Sequence, residues 1–94
     1  EEVESVIGIP TAFSPNNDMH NDILYVRGSG ITSFTLMIYN RYGEKVFESK
    51  ELSSGWNGYY KGKPQNTGVF AYYLEYEYTN GDKGSLKGNI TLVK

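Results

Sequence analysis

The chain has 94 residues, nine basic and eleven acidic side chains, a formal charge of −2 and no cysteine. That length is one domain burying roughly 60–65% of its unfolded surface, which leaves no material for a deep catalytic cleft. Without cysteine there is neither a disulfide framework nor a thiolate metal site, and the acidic balance argues against a nucleic-acid footprint, which needs a clustered basic face.

No apolar run approaches the roughly 18–20 residues that a membrane-spanning helix requires. Nine tyrosines, four phenylalanines, one tryptophan and eleven glycines point instead to strands joined by tight turns. Glu1 to Ser5 is acidic and polar and reads as the end of a linker from something upstream, with the domain occupying residues 6–94.

A first strand is expected over Val6 to Phe13, with Ile7, Ile9 and Phe13 on one face. Pro10 cannot donate a ladder hydrogen bond, so this strand should lie at an edge or carry a bulge. Phe13 to Asp22 then packs an apolar anchor, a proline and five Asn/Asp side chains into ten residues. Asn and Asp bond their own backbone and tolerate left-handed conformations, so the stretch reads as a structured turn. Ile23 to Arg27 is a short second strand, closed by Gly28-Ser29-Gly30.

Ser33 to Arg41 is the clearest strand by pattern: Phe34, Leu36 and Ile38 take one face, Thr35, Met37 and Tyr39 the other. Tyr42-Gly43 turns it into Glu44 to Ser49, giving a hairpin. Lys50 to Gly68 is a long irregular connection, unusual in so small a domain unless something ties it down. Trp56 is the residue to pin it to the core, with a short strand near Tyr59-Tyr60.

Val69 to Thr79 places Phe70, Tyr72, Leu74, Tyr76 and Tyr78 on one face and Glu75 and Glu77 on the wet side. Asn80-Gly81 is a strong hairpin signal. It leads to a last strand, Lys83 to Val93, with Leu86, Ile90 and Leu92 inward and Gly88 leaving room for a facing aromatic. No segment of ten or more residues keeps a helical period, so the expected fold is all-β. Two packed antiparallel sheets of immunoglobulin-like type, about seven short strands in all, fit this pattern.

Little here supports catalysis. The single histidine, His20, sits in the polar turn, where Ser14 and Asp22 are neighbours in sequence without an enforced geometry. Glu75 and Glu77 share one strand face rather than facing walls of a cleft, the arrangement of a solvated surface. Asn16, Asp18, Asn21 and Asp22 offer the oxygen ligands that Ca²⁺ prefers, but counting from Asn16 the twelfth position is Arg27 and not the glutamate of an EF-hand. Capping of backbone groups is the competing role for these four side chains. Trp56, Tyr39, Tyr59, Tyr60 and Tyr73 could line a contact face for sugar or protein, against the plainer reading that the alternating aromatics are core.

Several islands together are similar to one family. Ile9-Pro10-Thr11-Ala12-Phe13-Ser14-Pro15-Asn16, followed by Asp18 and Asn21-Asp22, resembles the "IPNAFSPNGDGxND" opening of gliding-motility-associated C-terminal domains, the type B sorting domains of the type IX secretion system. Ile38 to Gly43 with Val46 to Ser49 resembles "IYNRWGxxVFES". Trp56-Asn57-Gly58 and Gly62-Lys63-Pro64 resemble "WDG…GxP", Gly68 to Tyr72 "GxYxY", and Lys87 to Lys94 the terminal "KGxVTLVR". Asn17 stands for the expected glycine, Tyr42 for the tryptophan and Asn57 for the aspartate; none of these breaks the strand pattern.

The resemblance implies an immunoglobulin-like domain at the C-terminus of a larger exported protein, a monomeric, non-catalytic address without a cofactor. It implies passage through the periplasm to the cell surface or medium of a Gram-negative bacterium. The implied partners are the type IX translocon and an outer-membrane protein related to the PorP/SprF group. A carbohydrate-binding or adhesive module of a secreted protein is the alternative. A chain that commits its apolar residues to a core is read by its exterior, and the candidate contacts are the Asn16, Asp18, Asn21, Asp22 turn, the tip Tyr39-Asn40-Arg41-Tyr42-Gly43, and Lys83, Lys87 and Lys94. An open sheet edge could also accept a partner strand. For the lysines within the last strand, protection of that edge from aggregation is the competing role. Phe13, Trp56, Gly58, Gly68, Phe70 and Tyr72 are expected to hold the structure.

Overall fold

A computed structural model describes residues 6–14 and 23–93. Their strands are β1 (Val6–Gly8), β2 (Ala12–Phe13), β3 (Arg27–Ser29), β4 (Ile31–Tyr39), β5 (Lys45–Ser49), β6 (Tyr59–Tyr60), β7 (Lys63–Pro64), β8 (Gly68–Tyr78) and β9 (Lys83–Leu92). Among the described residues there is no helix.

The period-2 pattern of β4, β8 and β9 sets their register. Phe34 faces Tyr76 and then Gly84; Leu36 faces Leu74 and then Leu86; Ile38 faces Tyr72 and then Gly88. A slip of one residue would turn every one of these side chains to water, so burial of one face fixes the pairing. The Gly88 expectation holds. A side chain there would press on the Tyr72 ring, at 3.1 Å from an added Cβ. Gly84 gives Tyr76 the same room.

These strands form the centre of a five-stranded sheet in the order β2-β9-β8-β4-β5. A second, smaller layer is made by β1 antiparallel to β3, and the β3 segment runs back to Leu24, which bridges Trp56. Leu24 and Trp56 exchange both backbone hydrogen bonds, at 2.8 and 2.9 Å. Phe13, Leu24, Val26, Phe34, Leu36, Ile38, Val46, Trp56, Phe70, Leu74, Ile90 and Leu92 form one buried cluster between the layers. The architecture is the expected all-β, immunoglobulin-like sandwich.

Three details depart from the sequence reading. The first strand is not continuous: it breaks across Ile9-Pro10-Thr11, and its halves β1 and β2 belong to different sheets. Proline lacks the N–H that one unbroken ladder would use, so the chain changes layers there. β2 then pairs parallel to β9 through Ala12–Thr91 and Phe13–Leu92, so the sandwich is not wholly antiparallel. The second strand lies at Arg27–Ser29 rather than Ile23–Arg27. Gly28 sits inside it, because the Val6 carbonyl and the Ile31 side chain approach where a Cβ would stand.

A bulge adds the third. Ile38 pairs with Phe47 but Tyr39 pairs with Lys45, leaving Val46 as the extra residue. Val46 and Phe47 therefore both turn toward the core, while Lys45 and Glu48 emerge on the same outer side.

Candidate recognition surface

The β4–β5 turn is built from Asn40. Its backbone N–H donates to the Glu44 carbonyl at 2.9 Å, and its carbonyl accepts from the Gly43 N–H at 3.0 Å. Its side-chain Oδ1 accepts from the backbone N–H groups of Tyr42 and Glu44, at 2.9 and 3.0 Å, while Nδ2 donates to Glu44 Oε1 at 2.9 Å. Gly43, at φ 82°, supplies the left-handed position that closes the loop. Asn side chains mimic a backbone turn in this way, so a stretch of five residues fixes its own shape.

What that frame presents is Arg41 and Tyr42. Arg41 Nη2 donates to the Tyr42 hydroxyl at 2.8 Å, and the guanidinium carbon lies 5.0 Å from the Tyr42 ring centroid. Tyr42 is 73% exposed, the highest value among the exposed large hydrophobic residues described. Behind the pair, Asn40, Arg41 and Tyr42 share a shallow groove of about 420 Å³ with Gln65 to Phe70. Of the five tip residues expected from sequence, Asn40 to Gly43 thus come together in one hydrogen-bonded turn. Tyr39, just before it, is half-buried and donates its hydroxyl to Met37 Sδ at 3.4 Å.

The lysines of β9 lie elsewhere. Lys87 pairs across the sheet with Tyr73, and Lys83 with Glu77, the last two approaching to 4.0 Å. β2 pairs only with Thr91 and Leu92, so among the described residues Lys83 to Ile90 has no strand on its second side. Both readings of these lysines, contact and edge protection, suit that placement. On the outer side of β5, Lys45 meets Glu48 at 2.6 Å. The hydrogen bond and charge of Lys45 hold the Glu48 carboxyl below its ordinary range, and Glu48 raises Lys45 in turn.

The aromatics do not make a single exposed row. Of the four tyrosines expected there, Tyr39 and Tyr73 are diagonal neighbours on the outer face and half-buried, Tyr60 packs against the core, and Tyr59 alone is exposed. Of the residues expected to be structural, Phe13 and Phe70 are buried against Trp56, with ring centroids at 5.4 and 5.0 Å. Gly58 is buried at φ 84°, and Tyr72 covers Gly88. Gly68 is different: its φ is not left-handed and the nearest atom to an added Cβ is 3.9 Å away, so nothing in its surroundings requires glycine. Asn16, Asp18, His20, Asn21, Asp22 and Lys94 lie outside the described residues, and the Ca²⁺ expectation with them.

Sequence reading passed over one feature. Tyr59–Tyr60 pairs with Lys63–Pro64 through the two-residue loop Lys61-Gly62, carrying two exposed lysines. Two residues with glycine second between candidate strand ends are a hairpin signal that could have shown it.

Among the described residues the organised features are turns and strand edges, with shallow grooves between them. The model of the CHU_C type IX secretion signal domain matches residues 7–92, and the chain belongs to that family. It is a family of secretion signals, not of catalysts. Among curated proteins, none matches the sequence.

Proposed function

We propose that the domain is a folded, non-catalytic address that carries a covalently joined cargo through the type IX system to the cell surface or medium of a Gram-negative bacterium. Residues 1–5 would be the end of the tether to that cargo. Recognition would fall to the translocon and a PorP/SprF-like outer-membrane protein. The observation that carries this reading is the family match over nearly the whole folded chain.

The surface offered for recognition is the Asn40-framed tip with Arg41 and Tyr42, supported by the hydrogen bonds that close it on itself, since a preorganised loop loses little entropy on binding. Lys83 and Lys87 beside the open part of β9 are the second contact, where a partner strand could add by main-chain hydrogen bonds. Asn16, Asp18, Asn21, Asp22 and Lys94 join them on the sequence resemblance alone.

The test is to append residues 1–94 to a reporter delivered to the periplasm of a cell with a working type IX system. The reporter is expected outside the cell, and trapped in the periplasm when the translocon is disabled. Trapping in both strains would refute the reading. Retention of the purified chain on a polysaccharide column, combined with trapping, would favour the carbohydrate-binding alternative.

A further inference from the structure

Three hairpins in the described chain close by different means. In β4–β5 the loop is Arg41 to Gly43 and in β8–β9 it is Thr79 to Gly81; each places one glycine in the left-handed region, at φ 82° and 93°. The β6–β7 loop has only two residues, Lys61 at φ 53° and Gly62 at φ 78°. That is the geometry of a type I′ turn, which requires positive φ at both positions and favours Asn-Gly. Lys61 is the one non-glycine residue with positive φ among those described. A lysine there is less stable than an asparagine, so what the position gains is the side chain itself.

The backbone that carries that side chain is tied to its surroundings by hydrogen bonds. Trp56 Nε1–H donates to the Tyr59 carbonyl at 2.9 Å, Gln65 N–H to the Gly58 carbonyl at 2.8 Å, and Tyr59 N–H to Asn57 Oδ1 at 3.0 Å. Tyr60 packs on the core, faces Lys63 across the hairpin, and carries Lys61 Nζ 5.3 Å from its ring centroid. Lys45 and Lys83 each have a carboxylate; Lys61 and Lys63 reach none among the described residues. The result is a pair of exposed charges, with no carboxylate partner among the described residues, on a mount anchored through the buried indole.

We propose that the β6–β7 hairpin is a contact element, with Lys61 and Lys63 meeting an acidic face of a protein partner. This rests on the secretion reading, which requires a protein partner, and names a surface for it beyond the Asn40 tip. Complementary charge of this kind steers encounter and fixes orientation.

The discriminating variant is Lys61→Asn, which relieves the backbone while removing the charge. In the purified chain it should raise the melting temperature by about 2–5 °C. In the reporter fusion it should lower the exported fraction by about 2–5-fold, the range for one exposed charge contact. Lys61→Arg, which keeps both charge and strain, should export like the wild type. A Lys61→Asn fusion exported normally, or a variant that melts below the wild type, would overturn the proposal. So would anionic vesicle binding lost in Lys61→Asn while export is intact, since the lysines would then serve a lipid surface. A trapped wild-type fusion is a separate result, which refutes the secretion reading and removes the hairpin's partner with it.

Discussion

Residues 40–44 and residues 50–58 both leave regular structure, and they hold their shapes by opposite means. The first is closed by polar groups within five residues, nearly all of them supplied by Asn40. The second depends on distant partners. Trp56 is 1% exposed, lies between Phe13 and Phe70, and exchanges backbone hydrogen bonds with Leu24. Ser49 ties the start of this link from the strand side, its buried hydroxyl within 3.0 Å of the Glu51 and Ser54 carbonyls. A locally closed turn keeps its form wherever it is placed, whereas a link closed by burial is only as ordered as the core beneath it.

Breaking the tertiary link should cost most. Trp56→Ala is expected to destabilise the domain by about 3–5 kcal/mol, a large share of the roughly 5–15 kcal/mol that folds such a chain. It removes the anchor of the β6–β7 hairpin at the same time, so export should fail through unfolding; urea denaturation measures it. Trp56→Phe separates the two roles, keeping a ring against Phe13 and Phe70 while leaving the Tyr59 carbonyl without its donor.

Breaking the local turn should cost less and stay local. Asn40→Ala loses the three side-chain hydrogen bonds of the turn, but water reaches the freed groups, so about 1–2 kcal/mol is expected. Hydrogen exchange should rise at Tyr42 and Glu44 while the core strands keep their protection, and loss throughout the sheet would end the contrast. Gly43→Ala, at φ 82°, should cost about 1 kcal/mol by forcing a Cβ into the left-handed region.

The smallest effect belongs to the Lys45–Glu48 pair on the outer face. Glu48 is held below its ordinary pKa of 4.5, so its contribution is present above that value and is lost as pH falls through the lower, folded value. Lys45 is raised above 10.5, so its contribution is present below that value and is lost as pH rises through the folded one. The melting temperature of the wild type should exceed that of Glu48→Gln slightly near neutral pH, with the gap closing in acid. A gap that persists below the folded value would mean that Glu48 acts by packing and not by charge.

Much of this was legible in the linear chain because two signals are local. Alternation along Phe34 to Ile38 and Phe70 to Tyr78 shows which face is inward without knowledge of the partner strand, since successive side chains in a strand point to opposite sides. The Asn-Arg-Tyr-Gly tip is equally readable, because its bonds close within five residues. Trp56 was legible as an anchor for a different reason: a lone indole in a long polar link has few other ways to avoid water.

What sequence alone determined, then, is the all-β class, the inward residues, the β4–β5 hairpin turn and, through its ordered motifs, the family. Tertiary structure decided where the chain changes layers at Ile9-Pro10-Thr11, the parallel pairing of β2 with β9, the bulge at Val46 and the β6–β7 hairpin on its Trp56 mount. The layer change, the β2–β9 pairing and the Trp56 mount are choices between partners far apart in sequence, whereas the bulge and the β6–β7 hairpin pair near neighbours whose register the core beneath them selects.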